Sequence, residues 1–231
     1  MALIENIKGR RKNQSPSGYT RLFGNIELGN LMSKIQGTVI SSGTELEKII
    51  WDNAQQIIDL DDFIVNKINS QLEGVWVAKK DQVKKSKHIK SKYEPDFVAF
   101  QPLKKICYIM EIKDGDQFDT KKSNSEYVAL HDFTNRLRDS MNLTYLIKIC
   151  CFNAIHKEEI YNGLKRKFSM SEILTGKELC ELLNIKYDYI INIRKQDQRK
   201  NLDYFIKSLL LIPDIKNTIT TIISNYNLEA K

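Results

Sequence analysis

Residues 94–113 read EPDFVAFQPLKKICYIMEIK, and the fold turns on how this stretch pairs with itself. It holds two apolar runs, DFVAFQ (96–101) and ICYIMEIK (106–113), separated by Pro102-Leu103-Lys104-Lys105. Aromatic and β-branched residues favour extended backbone, and proline opens turns because its φ is already set. If residues 102–105 form the loop, Gln101 faces Ile106. Counting outwards, Asp96 then faces Glu111, with Cβ atoms about 4.5–5.5 Å apart. Lys113 lies two residues further and points from the same face as Glu111. Two carboxylates and an ammonium therefore meet at one end of an apolar hairpin.

That grouping has a chemical use. Two close carboxylates repel, and a divalent cation between them relieves the repulsion. Hard oxygen ligands suit magnesium, which keeps waters and takes a substrate phosphate oxygen. Such an ion polarises a phosphodiester and makes hydroxide more available, while a lysine beside it stabilises charge developing on the phosphate. The bland alternative is a solvated strand end carrying a surface ion pair. A D/E-x-K triplet alone decides nothing, because this chain has four, at Glu111, Asp119, Asp214 and Glu229. Asp119 falls in a polar loop, and Asp214 and Glu229 in a helical tail. Only Glu111 ends an apolar strand and follows an aspartate that begins another.

Working outwards, residues 75–78 (VWVA) read as a short strand, and 79–92 are a lysine run. A helix is expected to begin near Ser42 or Thr44, both good N-caps. Leu46, Ile49, Ile50, Ile57 and Ile58 then recur at helical spacing, and a second helical piece covers 61–72. Downstream, 126–142 returns to helix, and TYLIKICCF (144–152) reads as a buried central strand. From 156 onwards the pattern is helical: 156–167, 175–184, 187–211 and 213–226. The fold class is α/β, a mixed central sheet flanked by helices with a helical C-terminal region. The expected organisation is an N-terminal arm (1–41), a core (42–155) and a helical C-terminal region (156–231). Residues 9–20 are polar and turn-rich, a segment that a partner would order.

Composition agrees with a globular chain. Of 231 residues 42% are hydrophobic and 28% charged, and the net charge of +7 favours phosphate-rich partners without sequence preference. Cys107, Cys150, Cys151 and Cys180 make no CxxC pair, and His88, His131 and His156 supply no zinc spacing beside them. The first residues lack an apolar signal region, and no stretch is long enough to cross a bilayer. A reduced cytoplasm is the expected setting.

Asp96 preceded by proline, a short hairpin, then Glu-x-Lys resembles the core of the PD-(D/E)xK nucleases. The segment EIKDGDQFDTKKSNSEY (111–127) is similar to that of type II restriction endonucleases, and the element order over about residues 42–153 matches the αβββαβ plan. The resemblance implies that Asp96 and Glu111 bind Mg2+, with Mn2+ as substitute, and that Lys113 is catalytic. It implies hydrolysis of double-stranded DNA at a short sequence, leaving 5'-phosphate ends, by a homodimer whose genetic partner is a DNA methyltransferase. Many members add an acidic residue on the first core helix. Glu45 and Glu47 are the candidates; they flank the apolar stripe on opposite sides, and Glu47 is preferred. Either also reads as a first-turn carboxylate favoured by the helix dipole.

Three further segments are candidate DNA contacts. Lys84, Lys85 and Lys87 belong to a run that leads into Asp96; its plain alternative is a solvated loop. Lys121, Lys122 and Asn124 follow the Glu-x-Lys strand. Arg194 and Arg199 lie on the second, basic helix of a loosely helix-turn-helix-like region, 175–200, for which a helical cover or a dimer surface is an equal reading. Two other functions compete: a repair or recombination nuclease on the same core, and a non-catalytic DNA-binding regulator.

Overall fold

The computed structural model describes residues 2–8, 15–89, 93–115, 123–138 and 141–229. The chain forms helices α1 (Gly18–Phe23) and α2 (Ile26–Asn53), strand β1 (Gln55–Gln56), a helical turn α3 (Leu60–Asp62) continued by a wide π turn over Phe63–Lys67, β2 (Trp76–Lys79) and α4 (Lys80–Lys85). The hairpin β3 (Phe97–Gln101) and β4 (Ile106–Lys113) follows, then α5 (Ser123–Arg138), β5 (Thr144–Cys151), α6 (Lys157–Gly163) and β6 (Ile173–Thr175). Helices α7 (Gly176–Leu182), α8 (Tyr187–Leu210) and α9 (Pro213–Glu229) complete it.

The six strands form one mixed sheet in chain order. β1 runs parallel to β2, β2 to β3 and β3 to β4 are antiparallel, and β4, β5 and β6 run parallel. The hairpin has the expected register: Gln101 pairs with Ile106 and Phe97 with Met110. Pro102–Lys104 makes a tight turn closed by Lys105 at φ 53°. β5 lies between β4 and β6, as its apolar sequence requires. Phe97, Val98, Ala99 and Phe100 are all buried, so this strand is covered on both faces. Leu130, Phe133 and Leu137 of α5 share a core with Phe63, Phe100, Ile109 and Ile147. All four cysteines are buried free thiols.

Three sequence expectations need correcting. The helix expected from Ser42 or Thr44 begins at Ile26, where Asn25 Oδ1 accepts the Leu28 N–H at 2.9 Å. Ser42 is not a cap: its hydroxyl donates to the Val39 carbonyl at 3.0 Å, as Thr38 does to Lys34 at 2.8 Å. Hydroxyls satisfied in this way can sit inside a helix. The tail from 156 is not wholly helical, because Ile173–Thr175 forms β6 beside β5. Three residues are too few to show a period of two. The lysine run is not a plain loop either: Lys80–Lys85 is helical, with Gln82 accepting the Lys79 N–H at 3.0 Å.

The chain divides into two compact units, Leu46–Ile190 and a second made of Met1–Glu45 with Ile191–Lys231. The first holds the sheet. In the second, chain ends far apart in sequence are tied by Asn201, which accepts the Ile4 N–H at 2.8 Å and donates to the Ala2 carbonyl at 2.9 Å. No helix among the described residues is long and apolar enough to cross a membrane.

Two glycines make opposite predictions. A Cβ on Gly176 would stand 2.2 Å from the Phe152 carbonyl oxygen, whereas one on Gly43, inside α2, meets nothing within 4 Å. Gly43→Ala is expected to stabilise the protein by about 0.5–1 kcal/mol through helix propensity. Gly176→Ala is expected to destabilise it by roughly 1–3 kcal/mol. Urea unfolding of both variants checks the signs.

Candidate active site

The open end of the β3–β4 hairpin carries the cluster. Phe97 pairs with Met110, and Asp96 is the next residue out, level with Glu111. The Ile112 N–H donates to Asp96 Oδ2 at 2.8 Å, so the aspartate holds the end of the ladder together. Lys79 pairs with Phe97 on the other side. Lys80 therefore begins α4 at the same end of the sheet, where its charge acts on Asp96.

Asp96 and Glu111 are both buried, at 7% and 6% exposure. Burial, and then the nearby charge of Glu47, pushes Asp96 up to about 6, against the pull of the Ile112 N–H. Glu111 is pushed up to about 7 by burial and then by Asp96, with Lys113 pulling it back. Glu47 is raised as well, by burial foremost, with Lys80 opposing and Glu111 adding to the rise. The charge of Glu47 acts on Asp96, and that of Glu111 on Glu47. Burial works against the charge of Lys113, but Glu111 and Glu126 hold the ammonium above its ordinary range. Lys113 Nζ donates to Glu111 Oε1 and lies 3.6 Å from Glu126 Oε1.

Two members of this group escaped the sequence reading, Tyr93 and Glu126, and a third, Lys80, was read only as part of the lysine run that leads into Asp96. Tyr93 Oη donates towards Glu111 Oε2 at 3.0 Å and Glu126 Oε2 at 3.2 Å. Glu126 sits in the first turn of α5, and the crossover from β4 to β5 places it here. No local pattern marks either residue; for Lys80 the signal was present but needed the β2–β3 register, which the long connection hides.

Lys84 pairs with Glu94 at 3.4 Å and Lys85 with Asp81 at 4.0 Å, with both lysines exposed. Lys87 is exposed, and its backbone N–H donates to Asp61 Oδ2 at 3.1 Å. Lys121 and Lys122 lie outside the described residues. Asn124 Oδ1 accepts a hydrogen bond from Lys167. Arg199 is exposed on α8, but Arg194, expected at the surface, is buried at 6% exposure.

The donor set fits a hard divalent cation: carboxylate oxygens in a buried, acid-rich corner, with no cysteine or histidine in the group. Among the described residues no three such side chains are already arranged as a metal cage. Asp96 and Glu111 are the pair that would hold an ion, and Glu47 stands in reach by charge.

The raised carboxyls set a sign for stability. The folded chain keeps protons that the unfolded chain releases near 3.8 and 4.5, so this contribution is present below those values and lost as pH rises through about 6 and 7. Asp96→Asn keeps an oxygen for the Ile112 N–H and removes the charge. In excess chelator its Tm is expected to exceed the wild type's by a clearly larger margin at about pH 8 than at about pH 5, and to match it only below about pH 3.8. A Tm difference that does not change with pH would contradict the assigned burial cost.

Comparison with known proteins adds an independent line. No family model matches the chain, and no solved structure matches it. The chain is 39% identical over 225 residues to the type II restriction enzyme HhaII of Haemophilus parahaemolyticus, an alignment covering 95% of this chain and 98% of that protein. The segment quoted first, the hairpin with its acidic end, lies within a likeness that runs almost from end to end, and the chain belongs to the type II restriction enzyme family.

Proposed function

We propose that this restriction endonuclease hydrolyses phosphodiester bonds of double-stranded DNA at a short specific sequence, on a PD-(D/E)xK core, with Mg2+ or Mn2+, leaving 5'-phosphate ends. The observation that carries the reading is the convergence of Asp96, Glu111, Glu47 and Lys113 at the open end of one hairpin. Asp96 and Glu111 would hold the ion, assisted by Glu47. The bound ion supplies Lewis-acid polarisation of the scissile phosphate. The chain's own residues do the rest. Lys113 presents a positive charge where negative charge grows on the phosphate. Asp96, anchored by the Ile112 N–H, cannot swing away from Glu111. The burial of both acids keeps bulk water from screening these charges.

Lys80 stands exposed beside the acids, and Lys84, Lys85 and Lys87 follow on α4 and the turn after it. We assign these lysines to the DNA backbone, where they position the duplex without reading its sequence. A short symmetric site calls for two copies of the chain, and a methyltransferase of the same specificity would protect the host's own DNA.

Two experiments test this. Asp96→Asn, Glu111→Gln and Lys113→Ala are each expected to fold, to shift DNA in a calcium gel and to cut plasmid in magnesium about 100-fold more slowly or worse. Lys216→Ala, on exposed α9, is expected to cut like the wild type. Wild-type cleavage by all three core variants would make the hairpin merely structural and the chain a binding protein, and full cleavage in excess chelator would end the metal mechanism.

The second concerns salt. Replacing Lys84, Lys85 and Lys87 with alanine is expected to weaken binding to all sequences alike. The slope of log K against log salt should flatten by about one unit per lost phosphate contact. An unchanged slope would place these lysines in bulk water.

A further inference from the structure

The side chains of Glu111, Lys113, Glu126 and Tyr93 close into a ring. Lys113 Nζ donates to Glu111 Oε1 and stands 3.6 Å from Glu126 Oε1. The Tyr93 hydroxyl lies 3.0 Å from Glu111 Oε2 and 3.2 Å from Glu126 Oε2. Each carboxylate therefore turns one oxygen to the ammonium and the other to the phenol. A phenol has a single proton to donate, so Tyr93 serves one carboxylate at a time and sits as a wedge between the two.

The back of the ring is stiff and its front is not. The Tyr93 ring packs edge-on against Phe133, with centroids 6.3 Å apart, and Phe133 belongs to the same helix, α5, that carries Glu126. Lys113 is the more exposed partner, at 36% of its side chain against 8% for Glu111 and 18% for Glu126. Its long stem lets the ammonium move between acceptors.

This geometry meets a difficulty in the proposed site. Lys113 occupies Glu111 Oε1, an oxygen of the carboxylate assigned to the divalent cation. A cation that takes Glu111 Oε1 displaces the ammonium, which then needs another acceptor within the site. Glu126 Oε1 is the acceptor already beside it. Resting on the reading of Asp96, Glu111 and Lys113 as the cleavage site, we infer that Glu126 and Tyr93 are positioning residues for that reaction. Glu126 receives the Lys113 ammonium when a divalent cation takes Glu111. Tyr93 keeps the two carboxylates at the separation that lets the ammonium pass between them.

The test measures the metal apart from the chemistry. Mn2+ is titrated calorimetrically into the full-length protein without DNA, and plasmid cleavage is followed separately at saturating Mg2+. Partners that orient the ligands of a metal site are worth roughly 10- to 100-fold in affinity or activity. Glu126→Gln is expected to lower Mn2+ affinity about tenfold and to slow cleavage within that range, with DNA binding in calcium unchanged. Tyr93→Phe retains the ring against Phe133. It is expected to slow cleavage within the same range while its Mn2+ affinity stays within about twofold of the wild type. If Glu126→Gln fails to fold by circular dichroism, Tyr93→Phe decides. Wild-type Mn2+ binding and cleavage in the folded variants would overturn the inference. Asp96→Asn is run alongside: if it is dead while the positioning variants are normal, only this inference falls, and if it cuts normally, the site reading falls and takes the inference with it.

Discussion

Two carboxyl groups withdrawn from water side by side cost free energy, and the first unit is organised around Asp96 and Glu111, which stand in that position. The cost is offset locally. Asp96 accepts a backbone N–H from the facing strand, and Glu111 accepts from Lys113 and Tyr93. It is not removed, because both acids remain well above the ordinary carboxylate range. A protein selected for stability alone would have little reason to keep such a corner. A site meant to attract a divalent cation needs one, since an incoming positive charge relieves what the fold leaves unpaid.

The sheet makes that corner possible. Strands buried on both faces give β3 and β4 no freedom to slip, because a one-residue shift would turn every side chain to the other face. The tight turn at Pro102–Lys104, closed by Lys105, fixes the count between Gln101 and Ile106, and with it the position of Asp96 five residues back. The parallel strand β5 then requires a crossover. That crossover contains α5, whose first turn delivers Glu126 and whose next turns deliver Phe133 behind Tyr93. Core packing and site construction therefore use the same helix.

The position of charge along the chain follows the same logic. The lysines from Lys79 to Lys87, ahead of both acids in sequence, begin at the end of β2 and continue along α4. Lys79 lies over the Trp51 ring, 4.9 Å from its centroid, and anchors the start of this segment. Lys84 and Lys85 remain exposed. A buried negative corner next to an exposed positive helix suits a polyanion whose backbone must come close to carboxylates that would otherwise repel it.

What the sequence determined was local. The hairpin register, the pairing of Asp96 with Glu111 and the shared face of Lys113 follow from a loop of four residues and a side-chain period of two, which short-range geometry imposes. The central strand 144–151 was legible for a similar reason, as an apolar run with no polar face. The start of α2 was not, because Ser42 satisfies its hydroxyl against the helix itself and so mimics a cap without ending anything. Strand β6 was too short to show its period. Glu47 was one of two acids that helical spacing could not separate; its charge acts on Asp96 only through the tertiary arrangement. Tyr93, Glu126 and Lys80 were decided by tertiary structure alone, because their partners lie on other strands and helices. Side-chain periodicity describes one element at a time, whereas a site made from several elements exists only once they are packed.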